Sequence, residues 1–381
     1  MIRTANRLHT VAEYYFSKKL REVRGLIAEG RPIINMGIGS PDLTPPQTVL
    51  DAIKNAISDT GAHQYQSYQG LPGLRQAFAD FYASQFGVSV APDSEVLPLM
   101  GSKEGIMHIS MAFLNEGDEA LIPDPGYPTY SAVTKLVGGV PKYYNLTAEN
   151  GWFPDLDDLR SRDLSKVKLM WTGYPHMPTG AVASSEQFTE LVAFAREKNI
   201  LLINDNPYSF VLAKRPMSLL SVEGAKDVAL ELNSLSKTFN MAGWRVGMVM
   251  GSADHINAVL KVKSNMDSGM FYGVQKGAIA ALQSGTEWFS EMDKVYGERR
   301  KGIFRLAEKL QCEYDQDAVG MFVWAKLTSG NKKAEAFVDE LLYEKNIFIA
   351  PGTIFGSNGE GYVRFSLCVK EEKIKEAIER F

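Results

Sequence analysis

Short apolar runs alternate with stretches of helical spacing through the central part of the chain. The runs cover residues 96–100, 121–123, 169–172, 201–204, 228–232 and 246–250. Runs of this length that are rich in Val, Ile and Leu predict buried strands. Because strands that alternate with helices pair in parallel, the pattern predicts a mainly parallel sheet covered by helices.

Both ends of the chain predict further elements. Residues 11–29 carry apolar side chains at helical spacing up to Gly30, which predicts an amphipathic N-terminal helix. A long helical stretch begins near residue 286, and predicted strands follow it at residues 321–324, 347–349 and 362–367. The pattern predicts an N-terminal segment (1–45) that packs with a small domain, a large domain (46–285) and a small C-terminal domain (286–381).

The composition excludes several classes of function. The chain has 381 residues, 45% of them hydrophobic, and a formal net charge of −4, which predicts a globular protein with no electrostatic preference for nucleic acid or an anionic membrane. The N-terminus lacks the apolar core of a signal peptide, and no apolar run approaches the ~20 residues of a membrane span. We therefore expect a cytoplasmic protein.

The cysteines and histidines do not predict a metal site. Cys312 and Cys368 have no CxxC spacing, and the five histidines are scattered along the sequence. We expect both cysteines to be reduced and no metal to be bound.

Polar residues follow the predicted strands, where ligands of open parallel sheets bind. Gly101 opens a helix that runs to about residue 113. Since the first amides of a helix are unpaired and lie at the positive end of its dipole, the amides of Ser102 and Lys103 suit a phosphate group.

The loop between the last two predicted strands of this sheet holds a lysine, Lys237. A single lysine is most often a solvated surface charge. Here, however, Ser234 precedes it by three residues and Arg245 follows it by eight, so hydroxyls and a guanidinium can bind a phosphate dianion beside an amine that can form an imine. This combination predicts a pocket for pyridoxal phosphate.

The motif Ser-x-Ser-Lys followed by Gly-x-Arg-x-Gly resembles the cofactor-lysine signature of the class I and II aminotransferases. These are pyridoxal-phosphate enzymes of fold type I. The resemblance implies an α/β fold with a mainly parallel seven-stranded sheet in the large domain and a smaller α/β domain. Residues 14–16, 101–106 and 264–271 resemble the branch that includes LL-diaminopimelate, alanine and aspartate aminotransferases.

The resemblance also implies roles for individual residues. Asp205 corresponds to the carboxylate beside the pyridine nitrogen, and Tyr208 to the partner of the ring oxygen; with Lys237 they form the catalytic set. Arg364 and Gly39 correspond to groups that bind the substrate α-carboxylate. The other cofactor contacts are Ser102, Lys103, Tyr127, Ser234, Ser236, Arg245 and Tyr65, and a further substrate contact is Tyr14.

Tyr65 corresponds to a family tyrosine that reaches the phosphate in the neighbouring subunit. The resemblance therefore implies a homodimer with shared active sites. In the segment 264–271 no arginine is available for a second substrate carboxylate, which argues against strict specificity for dicarboxylates.

The implied reaction is transamination between an L-amino acid and a 2-oxo acid, with ping-pong kinetics and a Lys237 Schiff base. Two alternatives remain at this point. The same scaffold supports a carbon–sulfur β-lyase, and a non-catalytic regulator could keep the fold as a ligand-binding domain.

One residue departs from the family pattern. The segment 174–180 carries Met177 where the family usually has an asparagine that donates a hydrogen bond to the ring oxygen of the cofactor. Methionine cannot donate a hydrogen bond.

We predict that Met177→Asn lowers the pKa of the imine formed by Lys237, because the new donor stabilises the ring oxygen in its ionised form. A spectroscopic pH titration of the cofactor-loaded variant and the parent protein measures this pKa. An unchanged or higher value would contradict the interpretation.

Overall fold

The computed structural model describes residues 2–11, 13, 15–328 and 333–381. Tyr14, a predicted substrate contact, lies outside the described residues. The helices are α1 Tyr15–Ala28, α2 Gln47–Ala56, α3 Pro72–Phe86, α4 Ser102–Phe113, α5 Thr129–Leu136, α6 Leu156–Ser161, α7 Ser185–Lys198, α8 Ala225–Val228, α9 Leu235–Thr238, α10 Ala253–Lys263, α11 Tyr272–Leu282, α12 Glu287–Lys309, α13 Ala334–Lys345 and α14 Glu371–Glu379.

The strands are short, and they fall into three sheets. They are β1 Ile34–Asn35, β2 Val96–Leu99, β3 Glu119–Asp124, β4 Val140–Asn145, β5 Val167–Thr172, β6 Leu201–Asp205, β7 Ala229–Ser234, β8 Gly247–Gly251, β9 Cys312–Tyr314, β10 Phe322–Leu327, β11 Ile347–Phe348, β12 Ala350–Pro351 and β13 Tyr362–Ser366.

The central sheet has seven strands in the order β2-β8-β7-β6-β5-β3-β4. Strand β8 pairs antiparallel with both β2 and β7, and the pairs from β7 to β4 are parallel. The predicted α/β fold with a mainly parallel seven-stranded sheet is confirmed.

Alternate residues of each inner strand enter cores on opposite faces of this sheet. On β6, Leu202 belongs to one hydrophobic cluster and Ile203 to another, and both are fully buried. Every residue of β7 is buried as well. Since the side-chain period of a strand is two, helices must cover both faces, and each such buried side chain contributes roughly 1.5–3 kcal/mol to stability.

The edge strand β4 was missing from the sequence prediction. Only Tyr144 of its six residues is buried, so the strand has no apolar run that a hydrophobic pattern could reveal. Its parallel pairing with β3 holds it in the sheet.

A four-stranded antiparallel sheet, β12-β13-β10-β9, lies in the C-terminal part of the chain. The predicted strand at 347–349 corresponds to β11, which pairs with β1, whereas β12, which pairs with β13, was not predicted. Val23, Ile34 and Met36 share a hydrophobic cluster with residues of this C-terminal part. The N-terminal segment therefore packs against it, while the two predicted domain boundaries, after residues 45 and 285, stay predictions.

In the part of the chain that the structure describes, no helix combines the length and the apolar character needed to cross a membrane.

Candidate active site

A cavity of about 390 Å³ opens at the carboxyl ends of the parallel strands. Most of the predicted site residues line it: Gly39, Ser102, Lys103, Tyr127, Asp205, Tyr208, Ser234, Ser236, Lys237, Arg245 and Arg364. Tyr65 does not line it, and its side chain is 89% exposed. The lining residues that follow β2, β3, β6 and β7 meet because these strands end at one edge of the central sheet, whereas Gly39 and Arg364 reach the cavity from outside that sheet.

Lys237 lies on the short helix α9, which begins immediately after β7. Ser234 caps this helix by accepting a hydrogen bond from the Ser236 amide at 3.1 Å. The Lys237 Nζ donates a hydrogen bond to the Gly39 carbonyl. Burial lowers the pKa of Lys237; Cys368 opposes this, and the positive charges of Arg364 and Arg245 add to it. The amine is therefore easier to deprotonate than that of an ordinary lysine.

Positive and hydroxyl groups surround one end of the cavity. Arg245 lies against Gly101, whose φ of +87° favours glycine, and a Cβ at Gly101 would collide with the guanidinium. The Ser234 Oγ donates to the Ser236 Oγ at 2.8 Å, and burial together with Arg245 lowers the pKa of Lys103.

The same end includes the N-terminus of α4 at Ser102. Gly247 lies beside this N-terminus and has no side chain. A Cβ at Gly247 would lie only 2.7 Å from the Ser102 amide nitrogen, so a larger residue would obstruct that amide. Hydroxyls, helix amides and cations held this close together fit a phosphate dianion.

Asp205 ends β6 and is buried. Its Oδ2 accepts a hydrogen bond from the Tyr130 hydroxyl at 2.9 Å, whereas its Oδ1 is buried without a hydrogen-bond partner among the described residues. Burial raises the pKa of Asp205 to about 6; the Tyr130 hydrogen bond lowers it, and the charge of Glu231 raises it. A buried carboxylate oxygen in this state fits a ligand that brings an N–H donor, as a pyridinium nitrogen does.

Tyr130 is a site residue that the sequence analysis did not select. Its ring stacks on Trp171 at 4.9 Å between centroids and 10° between planes, which fixes its hydroxyl on Asp205. The sequence offered Tyr130 as a candidate, because it follows the selected Tyr127 by three residues. Which of the two hydroxyls reaches the Asp205 carboxylate depends on the course of α5, which the sequence does not show.

The aromatic residues predicted to hold the cofactor ring lie between the two ends of the cavity. Tyr127 meets Tyr130 edge-on at 5.5 Å, and Tyr208 meets Phe322 edge-on at 5.8 Å. Burial raises the pKa of Tyr208, so its hydroxyl stays protonated and can donate a hydrogen bond. His176 also lines the cavity, and burial lowers its pKa to about 3, which keeps it neutral.

Arg364, on β13, marks the other end of the cavity. Its Nη2 donates to the Gly37 carbonyl at 2.9 Å, and its Nη1 lies 3.3 Å from the Met177 Sδ. Three rings that the sequence analysis did not select surround the guanidinium carbon, at centroid distances of 3.8 Å for Phe322, 4.6 Å for Phe355 and 5.5 Å for Phe16.

A polar cluster that the sequence analysis did not identify joins α4 to the loop that follows α10. Glu104, His108 and Asp267 place one potential metal-ligand atom each within 4.8 Å of the others. The Lys263 ammonium lies 2.5 Å from the Asp267 Oδ2 and supplies the positive charge there. The absence of a metal therefore stays a prediction.

Comparison with known proteins identifies the family. Residues 31–381 match the family model described as aminotransferase class I and II. The chain belongs to this family. Full-length relatives named LL-diaminopimelate aminotransferase include those of Dehalococcoides mccartyi (40% identical, covering 99% of this chain and 97% of the relative) and Maridesulfovibrio salexigens (41% identical, with the same coverage).

Solved structures agree with this assignment. Substrate-bound BacF from Bacillus subtilis has a TM-score of 0.95 at 35% identity, covering 100% of this chain and 97% of that chain. A mutant aspartate aminotransferase from Thermus thermophilus has a TM-score of 0.92 at 25% identity, covering 100% and 99%. The predicted family and aminotransferase activity are confirmed, which favours this reading over the lyase and the regulator. Family and fold imply pyridoxal phosphate as cofactor.

We predict that Asp205→Asn stabilises the cofactor-free enzyme at pH 8. The folded-state pKa of about 6 lies above the ordinary 3.8, so stability falls as the pH rises from about 3.8 to about 6, and the full cost of ionising Asp205 is present above pH 6. Removing this charge is expected to raise the free energy of unfolding by up to about 3 kcal/mol at pH 8 and by much less at pH 4. Urea unfolding at both pH values measures the difference.

The exposed Asp80→Asn is the control and should leave the unfolding midpoint unchanged at both pH values. A destabilised Asp205→Asn variant at pH 8 would contradict the assigned cost of burying the Asp205 charge.

A second prediction concerns the hydrogen bond from Tyr130 to Asp205. In a double-mutant cycle on the free energy of unfolding, measured by urea unfolding, Tyr130→Phe and Asp205→Asn should show a coupling energy of roughly 1.5–3 kcal/mol at pH 8, where Asp205 is charged. The coupling energy should be smaller at pH 4. Tyr144→Phe is the matched control: its buried hydroxyl donates to the Trp171 carbonyl at 2.7 Å instead. Equal coupling of both tyrosines to Asp205 would exclude a specific role for Tyr130.

Proposed function

We propose that the enzyme binds pyridoxal phosphate in this cavity, with Lys237 as its covalent attachment site, and transfers an amino group from an L-amino acid to a 2-oxo acid. The observation that carries the proposal is the buried Asp205 Oδ1, which has no hydrogen-bond partner among the described residues and shares the cavity with the phosphate-like cradle and Lys237. When bound, pyridoxal phosphate supplies an electron sink conjugated with the substrate nitrogen.

Each end of the cavity suits a different part of the cofactor. Asp205 would accept a hydrogen bond from the ring nitrogen and keep it protonated, Tyr127 would pack on the ring, and Tyr208 would donate to the ring oxygen. The phosphate would be held by Ser102, Lys103, Ser234, Ser236 and Arg245.

Lys237 would also move the proton. With the cofactor and the substrate bound, the unprotonated Nζ would accept the proton from the substrate Cα and deliver it within the same cavity. The lowered pKa of Lys237 supports this role because a base must be unprotonated to act. Because the same cavity serves both half-reactions, ping-pong kinetics are expected.

Arg364 would bind the substrate α-carboxylate in the plane of its guanidinium, where two parallel hydrogen bonds can form. Gly39 supports this placement. A Cβ on Gly39 would collide with Phe322, so only glycine lets the backbone lie this close to the carboxylate site.

The active unit would be a homodimer. Tyr65 is too exposed to serve its own cavity, and other apolar side chains that are 45–58% exposed, Tyr68, Met266 and Phe271, accompany it. A Cβ on Gly269 would collide with the Gln66 carbonyl, so the loop around Gly269 lies against the segment that carries Tyr65. We infer that a second copy covers these side chains and receives Tyr65 at its phosphate site. The cytoplasmic location stays a prediction.

We predict that Lys237→Ala abolishes covalent attachment and lowers transamination by roughly 10³-fold or more, because it removes both the attachment site and the base. Borohydride reduction of the cofactor-loaded protein, followed by peptide mass spectrometry, should locate the cofactor on Lys237 in the parent protein and on no lysine in the variant. Lys309→Ala, an exposed position at the end of α12, should keep the label and the activity.

Spectra of the cofactor-loaded enzyme with single amino acids and no oxo acid test the reaction itself. Conversion to the pyridoxamine form supports transamination. Continued release of pyruvate and ammonia from cystathionine would instead establish a β-lyase, and a label on another lysine would overturn the assignment of Lys237.

A further inference from the structure

The charged side chains of the cavity are all accounted for before a substrate side chain is considered. Among the described lining residues, these are Lys103, Asp205, Lys237, Arg245 and Arg364. The proposed function places Lys103 and Arg245 at the phosphate, Asp205 at the ring nitrogen, Lys237 at the reacting carbon and Arg364 at the α-carboxylate. None of these five charged side chains is therefore left, among the described lining residues of this chain, to pair with a charge at the far end of a substrate side chain.

The end of the cavity near Arg364 is apolar. Its described apolar side chains are Phe16, Leu20, Ile38, Met177, Phe322 and Phe355. Two hydroxyls lie near them: that of Tyr208, which packs on Phe322 and which the proposed function assigns to the cofactor ring, and that of Ser40, which is exposed at the mouth of the cavity.

Helix α1 supplies part of this apolar wall. Phe16 and Leu20 are four residues apart, so they lie on the same face of the helix. Phe16 is only 9% exposed and packs on Phe355 at 6.4 Å between ring centroids. The wall is therefore continuous from α1 to the rings that surround Arg364.

The rings also restrict how Arg364 can bind a ligand. With the Phe322 centroid 3.8 Å from the guanidinium carbon, a face of the guanidinium is covered, and a carboxylate must approach in its plane. Met177 lies beside Nη1 with a thioether, which offers a distal ammonium or carboxylate no strong hydrogen bond.

We propose that the preferred substrates are L-amino acids with large apolar side chains, aromatic or branched aliphatic, and that side chains with a distal carboxylate or ammonium are disfavoured. The inference rests on the proposed function and adds the substrate class. A charged group moved from water into this wall loses its hydration without gaining a partner, whereas an apolar group gains by burial. The class differs from the substrate in the names of the LL-diaminopimelate aminotransferase relatives, since that substrate carries a charged amino and carboxyl group at its far end.

The first experiment compares half-reaction rates. Phenylalanine, leucine, glutamate, lysine and LL-diaminopimelate are mixed singly with the cofactor-loaded enzyme, and conversion to the pyridoxamine form is followed. We expect phenylalanine or leucine to react at least about 50-fold faster, per unit concentration, than each charged amino acid. Fastest conversion with a charged amino acid would overturn the inference and leave the proposed function intact. No conversion with any amino acid would overturn the proposed function and, with it, the substrate class.

A binding measurement removes the dependence on turnover. Calorimetric titration of the cofactor-loaded enzyme with unreactive carboxylates should give a dissociation constant for 3-phenylpropanoate at least about 20-fold lower than that for glutarate. Equal affinities, or tighter binding of glutarate, would contradict an apolar side-chain site.

A matched pair of variants locates the site. Ile38 lines the cavity and is 38% exposed, so Ile38→Arg can place a cation at the wall without burying it. We expect this variant to change the ratio of the affinities for glutarate and 3-phenylpropanoate by at least about 10-fold in favour of glutarate. Ile27→Arg, on α1 at a position that is 47% exposed and outside the cavity lining, should leave the ratio unchanged. An unchanged ratio in Ile38→Arg, or an equal shift in Ile27→Arg, would refute the placement.

Discussion

A buried carboxylate with one unsatisfied oxygen is the constraint on which the active site depends. The folded chain holds Asp205 at the end of β6 where burial opposes its ionisation, and it satisfies only Oδ2. A group held this way favours any ligand that brings an N–H donor or a positive charge to Oδ1. Burying the Asp205 charge destabilises the cofactor-free enzyme, and a ligand that relieves this destabilisation binds more tightly.

A second buried acid shows what a fully satisfied carboxylate looks like in the same sheet. Glu231, on the neighbouring strand β7, accepts hydrogen bonds from the Tyr82 hydroxyl at 2.9 Å and the Leu219 amide at 2.7 Å, and from the Asn204 and Asn206 side chains at 3.3 Å each. It does not line the cavity. Glu231 is thus a structural acid, because its hydrogen-bond donors all belong to the protein. The Oδ1 of Asp205 lacks such a donor among the described residues and would receive one from a bound ligand.

The sequence predicted the elements that an apolar pattern marks and the residues that a motif marks. The buried strands β2, β3, β5, β6, β7 and β8 were found because each is mainly apolar, and the meeting of the polar residues at their ends follows from parallel topology. Strand β4 was missed because only Tyr144 on it is buried. The roles of Tyr130, Phe16, Phe322 and Phe355 were missed because they depend on contacts between elements far apart in sequence, and aromatic residues at such positions are usually core.

The two ends of the cavity differ in how they recognise a ligand, and the difference follows from where their residues come from. The end proposed to hold the phosphate is built from helix N-termini and loops attached to sheet strands, so its donors are held in place by the backbone. The Arg364 end joins a strand of the small sheet to helix α1, and its contacts are rings and a thioether. Since apolar contacts lack direction, the proposed substrate class allows side chains of different shape at this end while excluding charge. Substitutions in α1 would therefore alter the substrate without disturbing the groups proposed to hold the cofactor, whereas a change at Met177 would act on both.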